Sequence, residues 1–223
     1  VSEGVLILAG ATASGKTELA LELAAAYDAE IVGADSRQIY RGMPIGTAAP
    51  TPQQLAQAPH HLVGFLDPAQ RYSAGRYASD SMAAIGDILA RGKRAIVVGG
   101  TGFYIRALLG GIDLAPQYDE SLRERLAREA RIHPAEFFYE WLEKLDAERA
   151  QALHPGDSYR VLRALEIALA QRSAPPSSER VRTLRGEGLA SLLVFLDLPQ
   201  DEIDRRIAAR TEHMLAAGLL DEA

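Results

Sequence analysis

Residues 10–17 read Gly10-Ala11-Thr12-Ala13-Ser14-Gly15-Lys16-Thr17, a G-x-x-x-x-G-K-[ST] stretch that follows the apolar run Val5-Leu6-Ile7-Leu8-Ala9 and precedes a helix-forming segment, 18–27. Strand, glycine-rich turn and helix in that order make a cradle for phosphates. Gly10 and Gly15 let successive backbone N–H groups point into one concavity, where a Cβ would block the approach. The start of the following helix adds its unpaired donors and the positive end of its dipole. Lys16 brings a full positive charge to the outer phosphates, and the Thr17 hydroxyl is suited to hold Mg2+. Taken alone, the stretch suggests ATP or GTP.

The segment 30–34, Glu30-Ile31-Val32-Gly33-Ala34, reads as a short buried strand that delivers Asp35-Ser36-Arg37-Gln38 to its carboxyl end. Ligands of open α/β sheets are handled at the carboxyl ends of strands, so Asp35 is expected beside the phosphate loop. The position suits a general base or a metal partner, with capping of the next turn as the alternative. Residues 39–48 carry too much Gly and Pro for a helix and read as an ordered loop across the site. His60 and His61 are adjacent and lack a third ligand at metal spacing, so they are expected to be packing residues. A strand is expected over 62–66 and a helix over 73–90 with Ser73 as its N-cap. The next parallel strand, 94–98, ends in Gly99-Gly100-Thr101-Gly102, where many nucleotide-hydrolysing enzymes carry a Walker B acid. Glycine there weakens an ATPase reading and is expected to leave room for a large group at the strand end.

From residue 112 the strand signal stops. Helical spacing covers 119–131, 134–143, 146–153 and 159–171, the last with Val161, Leu162, Leu165, Ile167 and Leu169 for burial. Residues 173–178, Ser-Ala-Pro-Pro-Ser-Ser, read as a loop or hinge bordered by Arg172, Arg180, Arg182 and Arg185. A buried strand is expected over 192–198, then a helix on which Arg206 and Arg210 share a face. Arginines arriving late in such chains commonly reach over the phosphates. The expected fold is therefore α/β: a P-loop NTPase-like core with a parallel sheet and helices on both faces, plus an all-helical insert. Its expected parts are core 1–112, insert 113–188 and a return to the core over 189–223. The formal charge of -6 argues against nonspecific coating of nucleic acid, without speaking to a local basic groove. The chain has no cysteine and no apolar run of membrane-spanning length, which leads us to expect a cytoplasmic protein.

Several blocks together resemble the bacterial tRNA dimethylallyltransferases: residues 10–17, residues 33–48 (Gly-Ala-Asp-Ser-Arg-Gln-Ile-Tyr-Arg-Gly-Met-Pro-Ile-Gly-Thr-Ala), Pro59-His60-His61-Leu62, residues 98–108 and residues 160–166. The likeness runs over nearly the whole chain; the family pattern continues past Ala223. It implies transfer of a dimethylallyl group from its diphosphate to N6 of the adenosine on the 3′ side of the anticodon (position 37), by a monomer that binds the tRNA anticodon stem-loop and uses Mg2+. It further implies that Asp35 is the general base, that Lys16, Thr17 and Arg210 handle the diphosphate, and that Asp35, Ser36, Arg37, Gln38, Thr101, Arg123 and Tyr159, Arg160, Val161, Leu162 and Arg163 meet the tRNA. Ala11 stands where the family usually has proline, and Ala49 where it commonly has lysine. The arginines between Arg123 and Arg185 are then expected to form a tRNA-facing surface on an otherwise acidic chain. Rival readings are an adenylate isopentenyltransferase, a small-molecule P-loop kinase and a nucleotide-binding module without catalysis.

Overall fold

The computed structural model describes residues 4–112, 120–173 and 181–222. The chain divides into two compact units, Val1–Asp113 with Val181–Ala223, and Leu114–Arg180. In chain order the first unit contains β1 (Gly4–Gly10), α1 (Lys16–Tyr27), β2 (Ala29–Gly33), α2 (Pro52–Gln57), β3 (His60–His61), α3 (Ala74–Ala90), β4 (Arg94–Gly99) and α4 (Gly102–Leu109). The second holds α5 (Glu120–Glu129), α6 (Ala135–Leu145), α7 (Ala147–Gln151) and α8 (Ser158–Ser173). The chain returns to the first unit with β5 (Ala190–Leu196), α9 (Gln200–Ala216) and α10 (Leu219–Glu222).

The sheet is parallel throughout, in the order β3-β2-β4-β1-β5. Pleating sends alternate side chains to opposite faces. Leu8, Ile31 and Ile96 meet Ala20, Leu21 and Ala24 of α1 on one face, while Ile7, Val32 and Val97 fill the other, the side on which α3 lies against β2 and β4. Ser73 caps α3 as expected, its Oγ accepting from Arg76 N at 3.1 Å. Glu30 is buried on β2 and chelated by Arg91 at the end of α3, with His61 Nε2 at 2.7 Å from its carboxylate. His60 Nδ1 lies 2.8 Å from the Ala58 carbonyl. Both histidines therefore serve packing and hydrogen bonding, and no metal-holding cluster of His, Asp or Glu occurs among the described residues.

Three sequence expectations are corrected here. Residues 62–66 are not a strand: Leu62 and Gly64 take left-handed backbone conformations (φ 60° and 59°), and only Leu66 rejoins extended structure, in a single bridge to Tyr40. The strand expected as buried over 192–198 is β5, an edge strand over 190–196 whose Leu192, Leu193, Val194 and Phe195 are all exposed. A short apolar run has the same appearance whether a neighbour covers it or not, so composition could not separate the two cases. Finally, of the glycines expected to leave room at the end of β4, Gly102 has open space where a Cβ would stand but Gly99 has none, because its α-hydrogen position faces the backbone of Ala34. A Cβ there would lie 2.1 Å from the Ala34 carbonyl oxygen, and neither backbone can yield. Gly99→Ala is expected to cost at least the ~1–3 kcal/mol typical of overpacking, read as a lower urea midpoint; an unchanged midpoint would contradict this contact.

The second unit has its own core, built from Leu126, Phe138, Leu142, Ala150, Val161, Ala164, Leu165 and Ala168. Asp146 ends α6 and caps α7, accepting from Arg149 N at 3.0 Å. On α8 the small Ala164 and Ala168 are buried where Leu162, Ile167 and Leu169 had been expected to lead, the latter three being only partly covered. Residues 181–188, read from sequence as the end of the insert, pack with the first unit: Leu184 is buried and its N–H donates to the Leu108 carbonyl at 2.8 Å. Of the hinge expected over 173–178, Ser173 is the last residue of α8, and residues 174–178 lie outside the described residues, as do Arg180 and Ala223.

Candidate active site

The phosphate loop emerges from the carboxyl end of β1. Gly15 stands at the N-cap of α1 with φ 89°, a left-handed value that glycine adopts without strain, and no side chain caps the helix. The donors of its first turn are thus left for a ligand, with the helix dipole behind them. Ser14 is buried, and Lys16 folds back over the loop, its Nζ donating to the carbonyls of Gly10 (3.0 Å) and Ala11. Burial pushes the Lys16 pKa down; the Asp35 carboxylate pulls it up and the Arg210 guanidinium pushes it down again. Lys16 thus feels both the Asp35 carboxylate and the Arg210 guanidinium.

Asp35 follows β2, the neighbour of β4. Its Oδ1 accepts from Arg37 N at 2.8 Å and Gln38 N at 3.4 Å, an Asx-type turn that fixes the carboxylate through one oxygen. The two readings left open by sequence, turn-former and chemical group, are therefore compatible in one side chain. Thr101 heads α4 without capping it; its Oγ1 instead accepts from Ser36 N at 2.9 Å. Two helix starts without side-chain caps, α1 and α4, thus follow the carboxyl ends of adjacent strands. Gln38 donates through Nε2 to the carbonyls of Thr47 (3.3 Å) and Ala48 (2.7 Å), which ties the 39–48 loop to Asp35. Arg37 is exposed. Tyr104 of α4 stacks on Tyr77 of α3 with ring centroids 4.3 Å apart. Its hydroxyl is pushed up to about 12, mainly by burial and then by Tyr40 and Asp35.

From α9, Arg210 Nη2 donates to Thr12 Oγ1 at 2.8 Å, and its buried Nε has no partner among the described residues. Arg206 reaches the Ala13 carbonyl at 3.5 Å while its Nε is held by Glu202 at 2.6 Å. Sequence spacing had put these two arginines on one face; the structure brings both to the phosphate loop. What sequence did not disclose is Glu222, whose carboxylate meets the backbone of Ile45 and Gly46. A contact between residues 177 positions apart leaves no local signal.

The remaining candidates, Arg123, Tyr159, Arg160, Val161, Leu162 and Arg163, belong to the second unit. Tyr159 is 71% exposed and available to a partner. Val161 is fully buried in that unit's core, so its side chain is withdrawn from the expected contact set, and Leu162 packs against the same core. Arg160 is paired with Asp157, and Arg163 with the buried Glu166 at 2.6 Å. Arg182, in the first unit, is paired with Glu187. The free positive charge is therefore smaller than the number of arginines suggests.

A family model described as "IPP transferase" matches residues 38–223, and one described as "Isopentenyl transferase" matches residues 3–63. The chain is 45% identical to a tRNA dimethylallyltransferase of Anaeromyxobacter sp. (strain K), over 98% of this chain and 72% of that one. It is 39% identical to the tRNA dimethylallyltransferase of Geobacter sulfurreducens, over 98% of this chain and 70% of that one. Among solved structures, the tRNA isopentenylpyrophosphate transferase of Bacillus halodurans superposes with a TM-score of 0.64 at 31% identity, covering 99% of this chain and 69% of that one. A eukaryotic dimethylallyltransferase acting on tRNA gives a TM-score of 0.80 at 28% identity, covering 99% of this chain and 55% of that one. With most of its length matched by the family model and relatives at this identity, the chain belongs to the IPP transferase family.

Proposed function

We propose that the protein transfers a dimethylallyl group from dimethylallyl diphosphate to N6 of the adenosine 3′-adjacent to the anticodon of tRNA. Family membership carries this reading, and the convergence of Lys16, Arg210 and Asp35 on one end of the sheet supports it. In the reaction a bond forms between N6 and C1 of the prenyl group while the C1–O bond to diphosphate breaks. The electron pair leaves with the diphosphate. Loop N–H groups, Lys16 and Arg210 are suited to stabilise the charge that builds on the bridging oxygen. The N6 proton goes to the Asp35 carboxylate. Nothing in this sequence requires an activated water, in keeping with glycine at the end of β4.

Thr17 at the start of α1 is the residue that would hold Mg2+, with the diphosphate and water supplying the other ligands. That division suits an ion which keeps several waters and takes few protein ligands. Bound there, the ion would neutralise charge on the leaving group. The acceptor adenosine is stacked in its loop and has to be turned out to reach Asp35. Ser36, Arg37, Gln38 and Thr101 surround that carboxylate as its acceptor-side neighbours. The second unit, with Arg123, Tyr159, Arg160 and Arg163, is the proposed tRNA-facing part, and phosphates there compete with Asp157 and Glu166 for Arg160 and Arg163. We assign the protein to the cytoplasm as a monomer.

The test is transfer of label from dimethylallyl diphosphate to unmodified tRNA, with AMP as the alternative acceptor and ATP as the alternative donor. Transfer to tRNA alone is the expected outcome; preference for AMP, or phosphate transfer from ATP, would overturn the assignment. Lys16→Ala should lower the single-turnover rate by about 10²–10³, the range found when one charge-stabilising donor is removed. Its tRNA affinity by filter binding should be unchanged. An equal loss of tRNA binding would put Lys16 on the acceptor instead.

A further inference from the structure

Loop 43–48 is held together by its own backbone: Thr47 N donates to the Met43 carbonyl at 3.2 Å and Ala48 N to the Ile45 carbonyl at 2.9 Å. The donors of Ile45 and Gly46 point elsewhere. Ile45 N meets Glu222 Oε2 at 2.8 Å and Gly46 N meets Glu222 Oε1 at 2.7 Å, so one carboxylate at the end of α10 chelates two consecutive N–H groups. Charge-assisted bonds to paired donors are about twice as strong as neutral ones. The packing agrees with the hydrogen bonds, since a Cβ on residue 46 would stand 3.2 Å from Leu219 Cδ1 and 3.3 Å from Glu222 Oε1. The next two carbonyls of the same loop, Thr47 and Ala48, accept from Gln38 Nε2, and the Gln38 N–H in turn faces Asp35 Oδ1. Upstream of α10, α9 donates from Arg210 to Thr12 of the phosphate loop.

We infer that Glu222 is a positioning residue for the acceptor side of the reaction. Its carboxylate fixes loop 43–48, the loop fixes the Gln38 amide, and Gln38 is a neighbour of the Asp35 carboxylate where the adenine must lie. The donor side, gripped by Arg210, Lys16 and the loop amides, does not depend on this link. The inference rests on the transfer reaction proposed above.

Glu222→Gln keeps shape but substitutes an NH2 group for one acceptor, setting donor against donor. Hydrogen exchange on the substrate-free protein reads the clamp directly: the amides of Ile45 and Gly46 should exchange at least about tenfold faster, the order expected for a lost bond to a charged group, with those of residues 12–17 unchanged. In steady-state assays kcat/KM for tRNA should fall about tenfold while KM for dimethylallyl diphosphate stays within about twofold. Gly46→Ala, which crowds the same contact from the opposite side, should lower the same quantity, and combining it with Glu222→Gln should add little. In a Gln38→Leu background, Glu222→Gln should have almost no further effect. Unchanged exchange at Ile45 and Gly46, equal losses for donor and tRNA, or an undiminished effect in the Gln38→Leu background would each overturn the assignment. Failure of the unsubstituted protein to transfer label would count against the functional reading, which the exchange measurement does not use.

Discussion

Asp35→Asn is expected to lower kcat by about 10²–10⁴, the usual worth of general-base assistance, and to leave tRNA affinity intact. Asparagine is the informative replacement because its side-chain oxygen can still accept from Arg37 N and Gln38 N, the two bonds that shape this turn. The backbone after β2 then stays in place, and what is removed is the capacity to take a proton. An alanine at the same position removes the turn as well, so its larger loss would mix geometry with chemistry. Rapid-quench transfer from labelled donor, with tRNA binding measured separately, distinguishes the outcomes. A kcat within twofold of the unsubstituted protein would exclude Asp35 as the base, and a lost tRNA affinity would make it a binding residue.

Arg91→Met is expected to lower the urea midpoint of the first unit, because it removes the main partner of a buried carboxylate although Arg91 is itself 41% exposed. The burden falls on Glu30, which is left charged on β2 with His61 and a more distant Lys93 as its remaining partners. The Arg91 guanidinium is the main reason the Glu30 carboxyl is held down to about 2 from its ordinary 4.5. A carboxyl with a folded pKa below its unfolded one stabilises the fold above the unfolded value and loses that contribution as pH falls through the folded value. The gap in urea midpoint between the parent and Arg91→Met should accordingly be full at pH 7 and narrow from about pH 4.5 downward toward 2. An equal gap at pH 7 and pH 3 would show that packing of the arginine stem, and not the charge pair, is at work.

The elements with strong local chemistry were legible in the sequence. The phosphate loop, the Ser73 cap, the helices of the second unit and the pairing of Arg206 with Arg210 on one face all follow from spacing and residue type within a few turns of chain. What escaped were properties set by neighbours far away in sequence. The exposure of β5 depends on its being last in the sheet order, and the run Leu-Leu-Val-Phe contains no sign of that. Gly99 was read as open space when its missing Cβ is occupied by Ala34. The Glu222 clamp joins residues 177 and 176 positions apart. On α8, helical spacing rightly marked Val161 and Leu165 for burial but overestimated the depth of Leu162, Ile167 and Leu169, while the tRNA contact of the Val161 side chain was implied only by the family resemblance.

Strand β5 also has a consequence for the material in the tube. Its inner side pairs with β1 along all seven residues, but its outer side has no strand partner among the described residues, and both of its faces show aliphatic or aromatic carbon. Such an edge is a template for strand addition by any extended chain, including another copy in solution. The stretch 190–196 is thus the edge that the described residues leave open to such pairing. Self-repulsion, which opposes such pairing between copies, is least near the isoelectric point, which the composition sets at about 5.4.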